Sequence, residues 1–283
     1  MKLFFVIFLV LAQSLFGNSS VPDTLSNKHQ KEKKYRDKDE KLFLRGEIGA
    51  QGGFDVFLPS ELNDYTKDFW NAIINQYYPF GDYDGANEAH SMFIGIHYNF
   101  KAGIRIINIF QIEGWLEHFY GVGLQIKSEL YRYGYGINTY SEKLTAKYQF
   151  IPSYSAYGAN LLLTPGAKRK SAFLTIGAGI GKYTGEFKYH EEGTHILNDT
   201  LTSFNHTDIY HGSAIGFNGI LGITFAPLKY LELELFLTGR YVKIPEVTDN
   251  YGNILRNPYR NDKKISLDFS GGGLILGLKV IVP

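Results

Sequence analysis

The chain has 283 residues, with 29 Lys and Arg against 28 Asp and Glu, and no cysteine. Its net charge of +1 gives no field to collect nucleic acid, and disulfides, thiolate catalysis and cysteine-held metals are excluded. Aromatics reach 16% and glycines number 31, yet no apolar run reaches the ~20 residues of a membrane helix, so a membrane would have to be crossed by strands.

In chain order, the first element is a short basic start, Met1–Lys2, followed by the apolar run Leu3–Leu11 and small residues up to Ser20. This is the pattern of an export signal over residues 1–19, with cleavage between Gly17 and Ser20. Residues 20–41 mix both charge signs and hold almost no apolar group, so they form a solvated tail that cannot fold by burial. From Leu42 to Pro283 the signal becomes period two, which predicts one all-β domain.

In Leu44–Val56 the even positions are apolar or small, and the odd ones carry Arg45, Glu47, Gln51 and Asp55. The same split marks Ile104–Leu116, Val122–Leu130 and Leu231–Tyr241. Further strands are expected over Met92–Phe100, Ala146–Leu163, Ala172–Tyr189, Ile209–Phe225 and Lys264–Val282. Short connectors at Asn99–Gly103, Pro165–Ser171 and Ala226–Lys229 alternate with long ones at Pro59–His90, His190–Asp208 and Ile244–Lys263. That layout predicts an antiparallel up-and-down transmembrane barrel of eight strands, or ten if His118–Leu144 adds a hairpin. In the first long loop, Ser60 caps a short helix from Glu61 to Tyr77, with Leu62, Tyr65, Phe69, Ile73 and Tyr77 on one face. It either covers the mouth or plugs the lumen.

Alternation does not say which face points outward, and a secreted soluble lipocalin-like barrel is the alternative. Three features favour the membrane. The polar positions carry paired signs of charge. Aromatics gather near strand ends, at Tyr98, Phe100, Phe225, Tyr230, Tyr131, Tyr133, Tyr135, Tyr183, Phe187 and Tyr189. The strands also exceed the ~9–11 residues needed to cross a bilayer. Arg45, Glu47, Arg105, Glu113, Glu232, Glu234 and Arg240 are then expected as lumen ion pairs. Apolar parity changes across Gly271-Gly272-Gly273, from Ile265, Leu267 and Phe269 to Leu274, Leu276 and Leu278, which predicts a β-bulge at the glycines.

The stretch Phe173–Tyr183, with Gly177, Gly179 and Gly181, resembles the glycine-rich ascending strand of small outer-membrane barrels: the OmpA membrane domain, OmpW and the opacity proteins. Gly216–Leu228 is similar to their next strand and periplasmic turn. That resemblance implies a Gram-negative-type outer membrane, contact with its lipids and lipopolysaccharide, and a last strand read by the barrel assembly machinery. Gly277, Leu278, Val280 and Val282 have the spacing of that signal, although a terminal aromatic is missing. It further implies a role without catalysis: structure, surface contact through the long loops, or passage of small solutes.

Candidate chemistry is sparse. Gly177–Gly181 lacks the helix a phosphate loop needs, and Asp82–Glu88 misses calcium-loop spacing. The eight histidines show no zinc spacing, and no cofactor is implied. His211 and Ser213 share one strand face and resemble the His-x-Ser pair of lipid A deacylases, which leaves a lipid A hydrolase as a further alternative.

Overall fold

The computed structural model describes residues 44–57, 59–77, 83–84, 94–106, 109–134, 140–165, 172–228 and 230–282. The export signal, the charged tail and most of Asp82–Glu88 lie outside the described residues, as do the side chains of Tyr131, Tyr133 and Tyr135.

β1 (Leu44–Phe57) leads through α1 (Ser60–Tyr77) and the short β2 (Tyr83–Asp84) to β3 (Ile94–Ile106). β4 (Phe110–Gly121), β5 (Leu124–Gly134), β6 (Tyr140–Leu163), β7 (Ala172–Leu197), β8 (Thr200–Leu228) and β9 (Leu231–Tyr241) follow. The last loop contains β10 (Lys243–Ile244), β11 (Arg256–Asn257), β12 (Lys263–Lys264) and β13 (Leu267–Asp268), and β14 (Gly271–Val282) ends the chain. β1, β3, β4, β6, β7, β8, β9 and β14 pair antiparallel in that order, and β14 pairs back on β1 to close a ring. A row of partners leaving β1 at Gly46 through Ile104, Ile112, Leu161, Ala178, Gly219, Gly239 and Gly272 returns to β1 at Val56, ten residues further along. An eight-stranded barrel with such a stagger is just wide enough for side chains to fill.

The ten-strand option fails because β5 adds no wall. It continues β4 along β6, with a one-residue offset between the pairs Tyr120–Ser153 and Leu124–Phe150. Pro152, which has no N–H to give the ladder, lies at that offset. Two connectors also prove to be strand. Asn99–Gly103 runs inside β3, because Asn99 and Lys101 point into a polar lumen rather than to a turn. His190–Asp208 is strand apart from Asn198-Asp199, whose positive φ values of 48° and 66° form the two-residue hairpin turn. β7 and β8 therefore rise past the ring and, with β5 and the start of β6, form an outer sheet.

The outward face is apolar. Ile48, Phe54, Ile96, Ile104, Leu116, Leu161, Ile180, Phe217, Leu235 and Leu276 are exposed on it, while Glu47, Asp55, Lys101, Arg105 and Lys279 are buried inside. That inversion overturns the soluble alternative, because a lipocalin-like barrel would show the opposite faces. Tyr98, Phe100 and Tyr230 face outward, but Tyr183 and Phe187 point inward and are buried. No described helix is long and apolar enough to cross a membrane.

The bulge expected at Gly271–Gly273 is not formed. Pairing on both sides of β14 runs through the glycines without a shift, so parity is kept. Ile265, Leu267 and Phe269 simply face inward, into an apolar core with Phe57, Phe119, Val242 and Ile244. The sequence signal was real, but it records a change at the even positions, from polar Ser266, Asp268 and Ser270 to outward-facing Leu274, Leu276 and Leu278, while the odd positions stay inward through Ile275 and Ile281.

α1 caps the mouth above this core. Leu62 and Trp70 are buried, and Phe69 meets Tyr148, Phe150 and Tyr189 at ring separations of 5.0, 5.5 and 5.9 Å. Its acidic side is latched to the last loop. Arg260 pairs with Asp64 at 2.7 Å and Asp68 at 2.5 Å, and the Ser266 amide donates to Glu61 at 2.8 Å. Partial burial alone would raise the Glu61 carboxyl, but the Ser266 hydrogen bonds and nearby Lys243 and Lys263 outweigh it and hold the group below its ordinary 4.5. A lowered carboxyl adds stability that is complete above its unfolded value and lost as pH falls through the folded one. Proteolysis within α1 should therefore accelerate below about pH 4.5, and Glu61→Gln should flatten that rise. A pH-independent cleavage rate in the native chain would refute the latch.

Candidate functional site

Inward positions of the ring converge into two polar clusters. In the one nearer the chain ends, Arg105 of β3 donates to both oxygens of Glu232 on β9 at 2.8 Å and its Nε reaches Glu47 on β1 at 2.8 Å. Lys279 of β14 sits among Glu234 at 2.9 Å, Glu232 at 3.2 Å and Glu47 at 3.4 Å. Lys101 joins Glu234 at 2.7 Å and Glu113 at 3.5 Å. Gln51 donates to Glu234 at 2.7 Å, and Gln111 to Glu113 at 2.9 Å. Such a set holds in low dielectric because every charge has a partner; removing one strands the others.

The second cluster lies higher. Arg240 of β9 crosses the lumen to Glu117 on β4 at 2.6 Å and to Asp55 on β1, whose other contact is the His97 Nδ1–H of β3 at 2.9 Å. The Tyr154 hydroxyl also donates to Glu117. Between the clusters, Trp115 donates its indole N–H to Asn160 Oδ1 at 3.1 Å. The ring lies flat on the backbone of two strands. A Cβ at Gly158 or Gly181 would fall 2.5–2.6 Å from its carbons, so both positions require glycine.

The structure thus brings Glu47, Arg105, Glu113, Glu232 and Glu234 into one cluster and Arg240 into the other. Arg45 belongs to neither. It is half-buried at the start of β1, beside Arg105 in the register, and among the described residues no carboxylate pairs with it. Like charges side by side, with the Glu47 carboxylate already turned to Arg105, leave it outside the network. Sequence reasoning missed Asp55, His97, Lys101, Glu117 and Lys279 as members. The usable signal was parity: each lies at an inward position of its strand.

On the outer wall, His211 and Ser213 are exposed and share a face with Ile215 and Phe217. His211 Nδ1 lies 3.7 Å from Glu186, and among the described residues no hydrogen bond joins it to Ser213. In this arrangement the base–nucleophile hydrogen bond that activates a hydroxyl is not formed between the pair. Gly277 faces the lumen against Gln51 and Glu234, while Leu278, Val280 and Val282 face outward on β14.

No protein-family model and no curated protein matches the chain. Among solved structures it is similar to Ail, the attachment invasion locus protein of Yersinia pestis, at 11% identity over 83% of this chain and 98% of that one, with a TM-score of 0.35. Neisserial surface protein A matches at 12% identity over 83% and 96%, with a TM-score of 0.33. OprG from Pseudomonas aeruginosa matches at 10% identity over 83% and 95%, with a TM-score of 0.36. By its own closed ring, its stagger and its inverted faces, the chain is a small outer-membrane-type β-barrel of eight strands.

Proposed function

We propose that the protein is an integral outer-membrane barrel without catalysis, whose wall is a closed scaffold and whose work is surface contact by the capped outer sheet. One observation carries this reading. The lumen is filled twice over, by interlocked charges below and by an apolar core under α1 above. A channel for hydrated solutes needs a continuous wet path, which neither layer provides. The outer sheet of β5, β6, β7 and β8 instead extends a rigid platform beyond the bilayer. In this reading export precedes insertion, Gly277, Leu278, Val280 and Val282 serve the assembly machinery, and outer-leaflet lipids and lipopolysaccharide surround the apolar belt.

Planar-bilayer recording tests it. The purified chain should insert without discrete conductance steps, even at high salt. Reproducible single-channel steps from the native chain, absent in a boiled control, would overturn the closed-scaffold reading.

A further inference from the structure

We propose that the open upper edge of β8 pairs with the same edge of a second copy standing in a facing membrane, merging two outer sheets into one. The inference rests on the surface-contact reading above and names its partner. β7 and β8 pair without a shift from Leu197–Thr200 down to Ala172–Phe225. On its other side β8 meets β9 only from Phe217 downward. Above that, His211 and Thr248 exchange both backbone hydrogen bonds, at 2.8 and 2.9 Å. The His211 N–H and C=O therefore point away from β7, and at period two so do those of Leu201, Ser203, Asn205 and Thr207. The bridge to Thr248 is antiparallel, so the chain beyond it heads along Tyr210 and Ile209 and leaves residues 201–207 open. Among the described residues no backbone group pairs with those four positions on that side.

Nothing blunts this edge. Exposed edges are ordinarily protected by Pro, by Lys or by a bulge. Residues 200–210 contain no Pro, Lys or Arg, and the ladder beneath them has no bulge. Three threonines, Phe204, Ile209 and Tyr210 favour strand, and Leu201 is left 62% exposed.

The edge also complements itself. Antiparallel pairing of two copies satisfies all four open positions in one register, with Phe204 opposite the second copy's Phe204. Leu201 then exchanges hydrogen bonds with Thr207, and Ser203 with Asn205, about eight bonds in all. On the face shared with Phe204, Thr202 stands opposite His206 and Thr200 opposite Asp208, so a hydroxyl meets each polar group. Asp208 is the one carboxylate in the stretch, and no like charge opposes it. The two phenylalanines form a cross-strand aromatic pair at the axis, and the two-fold closes the contact as a dimer.

That two-fold reverses strand direction. Two copies in one bilayer stand the same way up and cannot form it, whereas copies in facing membranes can. Phe204 lies about 40 Å further along β8 than lipid-facing Phe217, which carries the edge clear of the bilayer. The rival occupant is an extended strand of an unrelated protein.

Vesicle clustering and cross-linking separate the two. Proteoliposomes carrying only the full chain should cluster. The chain has no cysteine of its own, so Phe204→Cys should give a disulfide dimer on mild oxidation, its Cβ atoms facing each other about 4.5–5.5 Å apart. Thr207→Cys, which faces Leu201 instead, should stay monomeric. Ser203→Pro with Asn205→Pro removes two N–H groups that the β7 ladder does not use. The folded electrophoretic mobility should survive that change, while clustering and the Phe204→Cys dimer are lost. Vesicles with Ser203→Lys and Asn205→Lys should stay dispersed alone but cluster with vesicles carrying Ser203→Glu and Asn205→Glu. Native vesicles that remain dispersed leave the edge to a foreign strand and overturn the proposal, as do clustering that survives the proline pair and equal cross-linking at 204 and 207. Conductance steps would strike the closed-scaffold reading instead, whatever the vesicles do.

Discussion

Arg105→Met destabilises the barrel by about 3–5 kcal/mol, the range for breaking a buried ion pair while leaving its partners in place. The guanidinium spans three strands, meeting both oxygens of Glu232 and one of Glu47. Lys279 stays within 3.2 Å of Glu232 and 3.4 Å of Glu47, but it already serves Glu234 at 2.9 Å. Arg105→Lys recovers only part of the loss, since one ammonium cannot meet the fork of Glu232 and Glu47 together. Adding Glu232→Leu to Arg105→Met restores stability towards the native level, because the stranded carboxylate is then gone. Urea titration of the barrel in lipid vesicles reads all three variants. Equal midpoints for Arg105→Met and the native chain would remove the lumen network from the account of stability.

Phe150→Ala acts on the other half of the molecule. This ring is fully buried on β6 and packs against Tyr65, Phe69, Phe187 and Tyr189, with centroids 5.4–6.4 Å away. Removing a buried Phe costs about 3–5 kcal/mol in a core. Here that loss falls on the seat of α1 rather than on the ladder of the ring. Chymotrypsin should then cut within α1 at neutral pH, while the barrel keeps the electrophoretic mobility of its folded form. Cleavage indistinguishable from the native chain would show that the cap is held by its ion latch alone. Burial also pushes the Tyr65 and Tyr189 phenols up, so both rings stay neutral in this seat at any pH the experiment uses.

The ring was legible where one face met lipid and the other a packed lumen, because both environments write parity into the chain. Glu232, Glu234 and Arg240 opposite Leu231–Leu237 show this plainly. Parity was legible for Lys279 too, but a single charge in the apolar run of β14 reads as noise without its three carboxylate partners. The outer sheet was not legible, and the reason is physical. Residues 190–208 meet water on much of their surface, so alternation fades and polar composition resembles a loop. Only Asn198-Asp199 betrayed the hairpin. The glycines of β14 misled for a related reason. A change from polar to apolar residues at the outward positions, with glycines between at the inward ones, looks in sequence the same as a change of face.

The offset opposite Pro152 has a bearing on how such a molecule changes over time. One residue is absorbed between Tyr120 and Leu124, so β5 takes its own register on β6, whereas β6, β7 and β8 run from the wall into the outer sheet without a shift. Substitutions and length changes in β5 above that joint need not propagate to β4 in the wall. A foreign segment replacing β5 above that joint should therefore leave membrane insertion undisturbed.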